Sequence, residues 1–173
     1  MYDIIDFLKS RRSVREFDQS RAIPEDIIQR ILEAGVIAPS AKNSQPWHFY
    51  ILESEESRDN IRKCYTKEWF QHVPVYIMIV GDEAASWTYA DKLANTVYTD
   101  GAIATTHMML EAWSLGVGST WVCDFDRVKC CELFGLELEV NTPLNILALG
   151  YPKDDPRKLP LRRKDFNQIV SKL

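Results

Sequence analysis

Apolar side chains recur along this chain at helical spacing in some stretches and as nearly unbroken runs in others. Tyr2, Ile4, Ile5 and Leu8 mark one face of a short helix with Asp3 placed to cap it, and that face stops where Arg11, Arg12 and Arg15 begin. After a loop over 18–21, Pro24 opens a second helix. Glu25 and Asp26 sit in its first turn, where acids complement the helix dipole, and Ile27, Ile28, Ile31 and Leu32 form its buried stripe. Gly35 is expected to loosen its end. The stretch APSAKNSQPW, Ala38 to Trp47, carries two prolines among small polar residues and predicts a stiff, irregular loop leading into a strand through Phe49 and Ile51. A helix over 54–65 follows. The β-branched run VPVYIMIVG, Val73 to Gly81, predicts a strand buried on both faces and central in its sheet.

Further on, 82–95 is more polar and predicts a helix, whereas 101–115 is apolar on almost every side, which suits a core or an interface. STWVCDF predicts another strand with Cys123 in it, 126–134 a short helix closed by Gly135, and LNILALG a last buried strand. Residues 151–173 change character. Pro152, Pro156 and Pro160 alternate with Arg157, Lys158, Arg162, Arg163 and Lys164, so this end predicts an extended basic arm. About four strands interleaved with five or six helices give a mixed α/β or α+β sandwich.

The chain has 173 residues, 46% hydrophobic and 27% charged, which predicts one domain over 1–173 around one core. With 21 basic against 25 acidic side chains, the net charge of −4 argues against nucleic acid as the main partner. Four cysteines, Cys64, Cys123, Cys130 and Cys131, show neither a CxxC nor a disulfide framework and predict reduced thiols in the cytoplasm. Asp3 and Asp6 interrupt the first ten residues, so neither a signal peptide nor a membrane span is expected there. The terminal Ser171, Lys172, Leu173 would be a peroxisomal address in a eukaryotic host, and we expect it to be coincidence.

Candidate chemistry begins with RRSVREF, 11–17. In extended backbone, Arg11, Ser13 and Arg15 face one side, giving the forked cationic donors and the hydroxyl that a phosphate monoester needs. The competing reading is a solvated basic patch paired with Glu16 or Asp18. The loop offers uncharged hydrogen-bonding groups, Ser40, Asn43, Ser44 and Gln45, on a proline-stiffened frame; the competing reading is a plain helix-to-strand turn. LGVGST fails as a dinucleotide fingerprint because it follows a helix and Trp121 replaces the third glycine. No metal site is expected from the scattered His48, His72 and His107, and His107 is expected to be a satisfied core residue. Packing accounts for Cys130 and Cys131, and no nucleophile elbow is present.

Taken in order, FLKSRRSVREFD, APSAKNSQPWHFYIL, DGAIATTHMMLEAWSLGVGSTWV and NILALGYP followed by a basic tail resemble the nitroreductase family over residues 3–170. The resemblance implies an α+β fold, a mainly antiparallel sheet of four or five strands flanked by helices, in an intertwined homodimer binding FMN at the subunit interface. It implies that Arg11, Arg12, Ser13 and Arg15, joined by Arg162 and Arg163, hold the FMN phosphate and ribityl chain. Pro39, Ser40 and Asn43, with Gln45 nearby, match the loop reaching the flavin from the other subunit. Cys123 and Asp124 match the place where a backbone amide approaches the flavin; some members have Glu-Gly there. Lys67 is a candidate for the pyrimidine ring, and Trp87 and Tyr89 are pocket walls or packed aromatics in a stretch shorter than in larger members. The implied activity is ping-pong reduction of nitroaromatics, quinones or related acceptors with NAD(P)H, with the chemistry carried by FMN and no catalytic side chain. An FMN storage or sensing protein without efficient turnover is the alternative.

Overall fold

In this computed structural model the described residues are 3–172; Tyr2 and Leu173, which entered the readings of the first helix and of the terminal tripeptide, lie outside them. Four strands, β1 (Trp47–Leu52), β2 (Val75–Asp82), β3 (Gly118–Val122) and β4 (Asn141–Gly150), form one sheet in the order β1-β2-β4-β3, every pairing antiparallel. That pattern decides for α+β, and it puts β2 inside the sheet as its apolar run predicts.

The run is nearly continuous because both faces are covered. Tyr76, Met78 and Val80 point to one side with Ile146 and Ala148, under α3 (Glu55–Cys64), the single turn α4 (Glu68–Gln71) and α6 (Arg127–Phe134), whose Ile61, Cys64, Phe70 and Cys130 complete that cluster. Ile77 and Ile79 point to the other side with Leu147 and Leu149, under α2 (Glu25–Val36) and α5 (Val97–Ser114), which supply Ile31, Met108 and Ala112. Asp126 caps α6 by accepting from the Lys129 amide at 2.9 Å. Gly135 ends it in the left-handed region, φ 64°, which glycine adopts without strain.

Some expectations are corrected. Gly35 does not loosen α2; it lies inside the helix where α2 meets α5, and a Cβ there would stand 2.8 Å from Met108 Cγ. Residues 82–95 are not helical. The Asp82 carboxyl accepts from the amides of Ala84 and Ala85, and Asp91 from that of Leu93, so short acids bind their own backbone and a bridge between Thr88 and Asn95 closes a hairpin-like excursion. Lys92 turns its tip at φ 59°. Helix α5 instead starts early, at Val97. Cys123 falls one residue beyond β3 and is exposed.

At the N-terminus α1 (Ile4–Ser10) has Asp3 as its cap, accepting from the Ile5 amide at 2.8 Å, but buries no residue; Ile4, Ile5 and Leu8 are exposed. Beyond β4 the chain is extended apart from a 3-10 turn, Pro156–Lys158, and a single turn α7 (Phe166–Ile169), and none of the described residues there is buried. Among the described residues no helix is long and apolar enough to cross a membrane.

Candidate functional site

The segment 11–17 is fixed along the sheet edge by its own backbone. Ser13 bridges to Ser119 in parallel, the Val14 amide donates to the Ser119 carbonyl at 3.0 Å, and the Thr120 hydroxyl donates to the Val14 carbonyl. Further along, Phe17 bridges to Pro152 and the Asp18 amide donates to the Tyr151 carbonyl at 2.8 Å. Val14 and Phe17 are buried, while Ser13, Arg15 and Glu16 are exposed and Arg11 and Arg12 are both half-buried, so alternation is seen over 13–15 and shifts parity at Glu16.

Two glycines make room for the buried pair. A Cβ on Gly118 would lie 2.7 Å from Val14 Cγ2, and one on Gly150 would lie 2.5 Å from a ring carbon of Phe17. The Gly118→Ala variant is therefore expected to lose about 1 to 3 kcal/mol through overpacking. Thermal unfolding checks this; a midpoint within a degree of the parent's would show that Val14 yields freely.

The arginines separate into three roles. Arg12 is committed to the backbone: Nε donates to the Leu159 carbonyl at 2.8 Å, and Nη1 to the carbonyls of Lys9, Ser10 and Arg11, closing the end of α1 and fastening the C-terminal arm at Leu159. Arg11 is half-buried, and its pKa is lowered, first by burial and then by the positive charges of Arg163 and Arg12. Chain start and chain end thus bring like charges together. Arg15 lies over the Trp69 ring, 5.7 Å from its centroid, which occupies the guanidinium face and leaves its N–H edges for other partners. The Arg163 guanidinium donates to the Arg162 carbonyl at 2.7 Å. Among the described residues no carboxylate pairs with any of these five arginines. Asp18, the partner in the competing reading, instead accepts from the amide and hydroxyl of Ser20, which lowers its pKa.

The 38–47 loop is a strained scaffold. Lys42, Asn43 and Gln45 have φ of 54°, 56° and 48°, conformations that cost residues other than glycine about 1 to 3 kcal/mol each, asparagine least. Ser40 Oγ accepts from the Gln45 amide at 2.9 Å, and Asp100 accepts from the Ala41 amide at 3.0 Å. Pro39, Asn43 and Gln45 are exposed, and Ser44 Oγ is buried without a partner. Ser119 Oγ and Trp121 Nε1 are likewise buried and unpartnered. The Cys123 thiol is pushed up from its ordinary value by burial, against an opposing influence of the Trp121 indole N–H. That N–H reaches no partner in hydrogen-bond geometry. Asp124 is exposed beside it.

Lys67 precedes α4, two residues from the Trp69 that carries Arg15. Trp87 and Tyr89 pack edge to face at 5.2 Å and stay exposed on the 83–96 excursion. His107 is corrected: it is half-buried on the outward side of α5, lining with Tyr98, Thr99, Ala102, Ile103 and Thr106 a groove of about 580 Å³. A groove of about 1290 Å³ lies between α1 and 152–157. Sequence reasoning missed Trp69 and Asp100; the second left a signal, an acid in the first turn of a helix that is apolar on most sides.

A single antiparallel sheet, with Arg11 and Arg12 from one chain end brought near Arg163 from the other and a strained polar loop, defines an α+β protein whose clustered arginines meet no carboxylate among the described residues. A profile of the Nitroreductase family matches residues 8–69 and 59–151. A Methanothermobacter thermautotrophicus protein with the provisional name NADH dehydrogenase/NAD(P)H nitroreductase is 31% identical over 159 residues, 89% of this chain and 80% of the relative. A nitroreductase family protein of Clostridium difficile 630 superposes with a TM-score of 0.89 at 28% identity, covering 98% of both chains. An Exiguobacterium sibiricum protein, provisionally named a nitroreductase and crystallised with FMN, superposes with a TM-score of 0.86 at 22% identity, covering 100% of this chain and 98% of that one. The chain belongs to the nitroreductase family.

Proposed function

We propose that this chain is an FMN-dependent oxidoreductase that consumes NAD(P)H and reduces nitroaromatics, quinones or related small acceptors in the cytoplasm, working as a homodimer with the cofactor at the subunit interface. In this reading 1–173 form one cofactor-binding domain with 151–173 as its basic arm. The observation that carries it is Arg11: a half-buried guanidinium that feels the positive charges of Arg163 and Arg12. Fixed positive charge gathered without an acid among the described residues raises the energy of the ligand-free chain and is relieved by a phosphate dianion, which Arg binds with two parallel bonds.

The residues fit such a cofactor. Arg11, Ser13, Arg15, Arg162 and Arg163 would hold its phosphate and ribityl chain, with Arg12 keeping the arm in place. Ser40, Asn43 and Gln45 would meet the polar ring edges with uncharged donors and acceptors. When bound, FMN supplies the electron and hydride transfer that no side chain here can perform. The chain's own contribution is to bind, orient and shield. The names of the relatives support the nicotinamide donor. The exposed apolar residues of α1 and the outward side of α5 support a second copy as partner.

The test is an absorbance scan of the purified protein followed by anaerobic titration with NADH and with NADPH. A yellow protein bleached by one or both is expected. A yellow protein that neither nicotinamide bleaches would make it a storage or sensing protein, and a colourless one gaining no thermal stability from added FMN would overturn the cofactor itself.

A further inference from the structure

Helix α5 begins with a polar group in an apolar surrounding. Asp100 is only 2% exposed, so its carboxyl must find partners inside the protein. It divides its two oxygens between segments far apart in sequence. Oδ1 accepts from the Ala41 amide at 3.0 Å, and Oδ2 accepts from the Thr96 hydroxyl at 2.7 Å. Thr96 Oγ1 is in turn 3.3 Å from Ser86 Oγ, and the Thr96 amide donates to the Trp87 carbonyl at 2.9 Å. Ser86 and Thr96 are themselves buried. A continuous chain of hydrogen bonds, buried from Ser86 to Asp100 and half-buried at Ala41, therefore runs from the 83–96 excursion into the 38–47 loop.

Ala41 is where that loop leaves extended backbone. Ser40 has φ −141° and ψ 161°, a 3-10 turn starts at Ala41, and the left-handed residues Lys42, Asn43 and Gln45 follow. Ser40 Oγ closes the loop from within by accepting from the Gln45 amide. Asp100 pins it from outside, and the Ala41 amide is left without that acceptor if the carboxyl is removed. A strained loop persists only while such contacts hold it.

We infer that Asp100 is a positioning residue for the cofactor: by accepting from Ala41 it fixes the 39–45 loop in its binding shape and couples it to the 83–96 excursion. The inference rests on the proposed FMN site. It asks for an acceptor at Oδ1 and not for a charge, so asparagine can replace aspartate: its oxygen accepts from Ala41, its amide donates to Thr96 Oγ1, and the Thr96 hydroxyl donates to Ser86.

The experiment measures amide hydrogen exchange of the full chain without added FMN, and FMN affinity by titration, for Asp100→Ala, Asp100→Asn and Ala41→Pro. In Asp100→Ala, exchange at 41–45 is expected to accelerate about tenfold or more and the FMN Kd to rise roughly tenfold, with the amides of β2 and β4 unchanged. Asp100→Asn is expected to restore both to within about threefold of the parent. Ala41→Pro deletes the donor at the first position of a helical turn after an extended residue, where proline is tolerated, and is expected to weaken FMN binding about as much. That variant decides the matter if Asp100→Ala does not fold.

Unchanged exchange at 42–45 together with unchanged affinity in Asp100→Ala or Ala41→Pro overturns the inference and leaves the FMN site standing. An asparagine variant as weak as the alanine one also overturns it. Faster exchange with unchanged affinity removes the loop from the cofactor site, so the reading of that loop fails and the inference with it.

Discussion

The double variant Arg11→Ala, Arg163→Ala is expected to lose its flavin while folding at least as well as the parent. Each charged hydrogen bond to a phosphate is worth about 1.5 to 3 kcal/mol, so removing two raises the FMN Kd by about 10²- to 10⁴-fold, with the usual non-additivity of neighbours. The stability half follows from the sign of the Arg11 shift. Burial and the charges of Arg163 and Arg12 lower its pKa below the unfolded value. A group whose protonated form is disfavoured by folding costs stability at every pH where it stays protonated, and arginine stays protonated throughout the usable range. The penalty is thus constant across neutral pH and disappears only with the charge or with a bound anion. Thermal melts of FMN-free protein should show the double variant unfolding no lower than the parent, and inorganic phosphate raising the parent's midpoint more than the variant's. Arg12→Ala is the contrast: it removes the bonds that close α1 and hold Leu159, so it is expected to lower stability. A double variant that retains flavin through gel filtration would sink the cradle as the phosphate site.

What could be read in advance depended on how far each signal reached. The strand at Val75–Asp82 and the helix from the Asp126 cap to Gly135 were legible because burial on two faces and capping chemistry act within a few residues. Residues 82–95 misled because their polar composition suits an exposed helix, whereas Asp82 and Asp91 satisfy neighbouring amides directly. Strand order and the role of Gly118 and Gly150 as seats for Val14 and Phe17 are tertiary facts with no local signature. Alternation could put Arg11, Ser13 and Arg15 on one side of a strand, yet it could not tell that Trp69 takes one guanidinium face or that Arg12 is spent on carbonyls. The meeting of Arg11 with Arg163 came from the family resemblance and not from spacing, since the two are separated by nearly the whole chain.

Ile103→Asp is expected to convert the protein to a monomer and to strip its FMN without unfolding the chain. Helix α5 turns Ala104, Met108 and Ala112 into the core, yet its outward side carries Tyr98, Ala102 and Ile103 around a groove of about 580 Å³, where a purely surface helix would carry charges. Helix α1 adds exposed Ile4, Ile5 and Leu8. If two copies meet there, an aspartate at position 103 places an unpaired charge in an apolar interface, which costs several kcal/mol and raises the dimer Kd by about 10³-fold or more. Ile103 belongs to neither core cluster, so circular dichroism and the chain's own packing should change little. Sedimentation velocity at micromolar concentration reads the mass, and absorbance in the same cell reads the flavin. Loss of both together ties the cofactor to the interface. A variant that sediments as a monomer and stays yellow would mean that one chain builds the whole site, with the arginines of its two ends sufficient to hold the phosphate and the loop at 39–45 serving its own subunit.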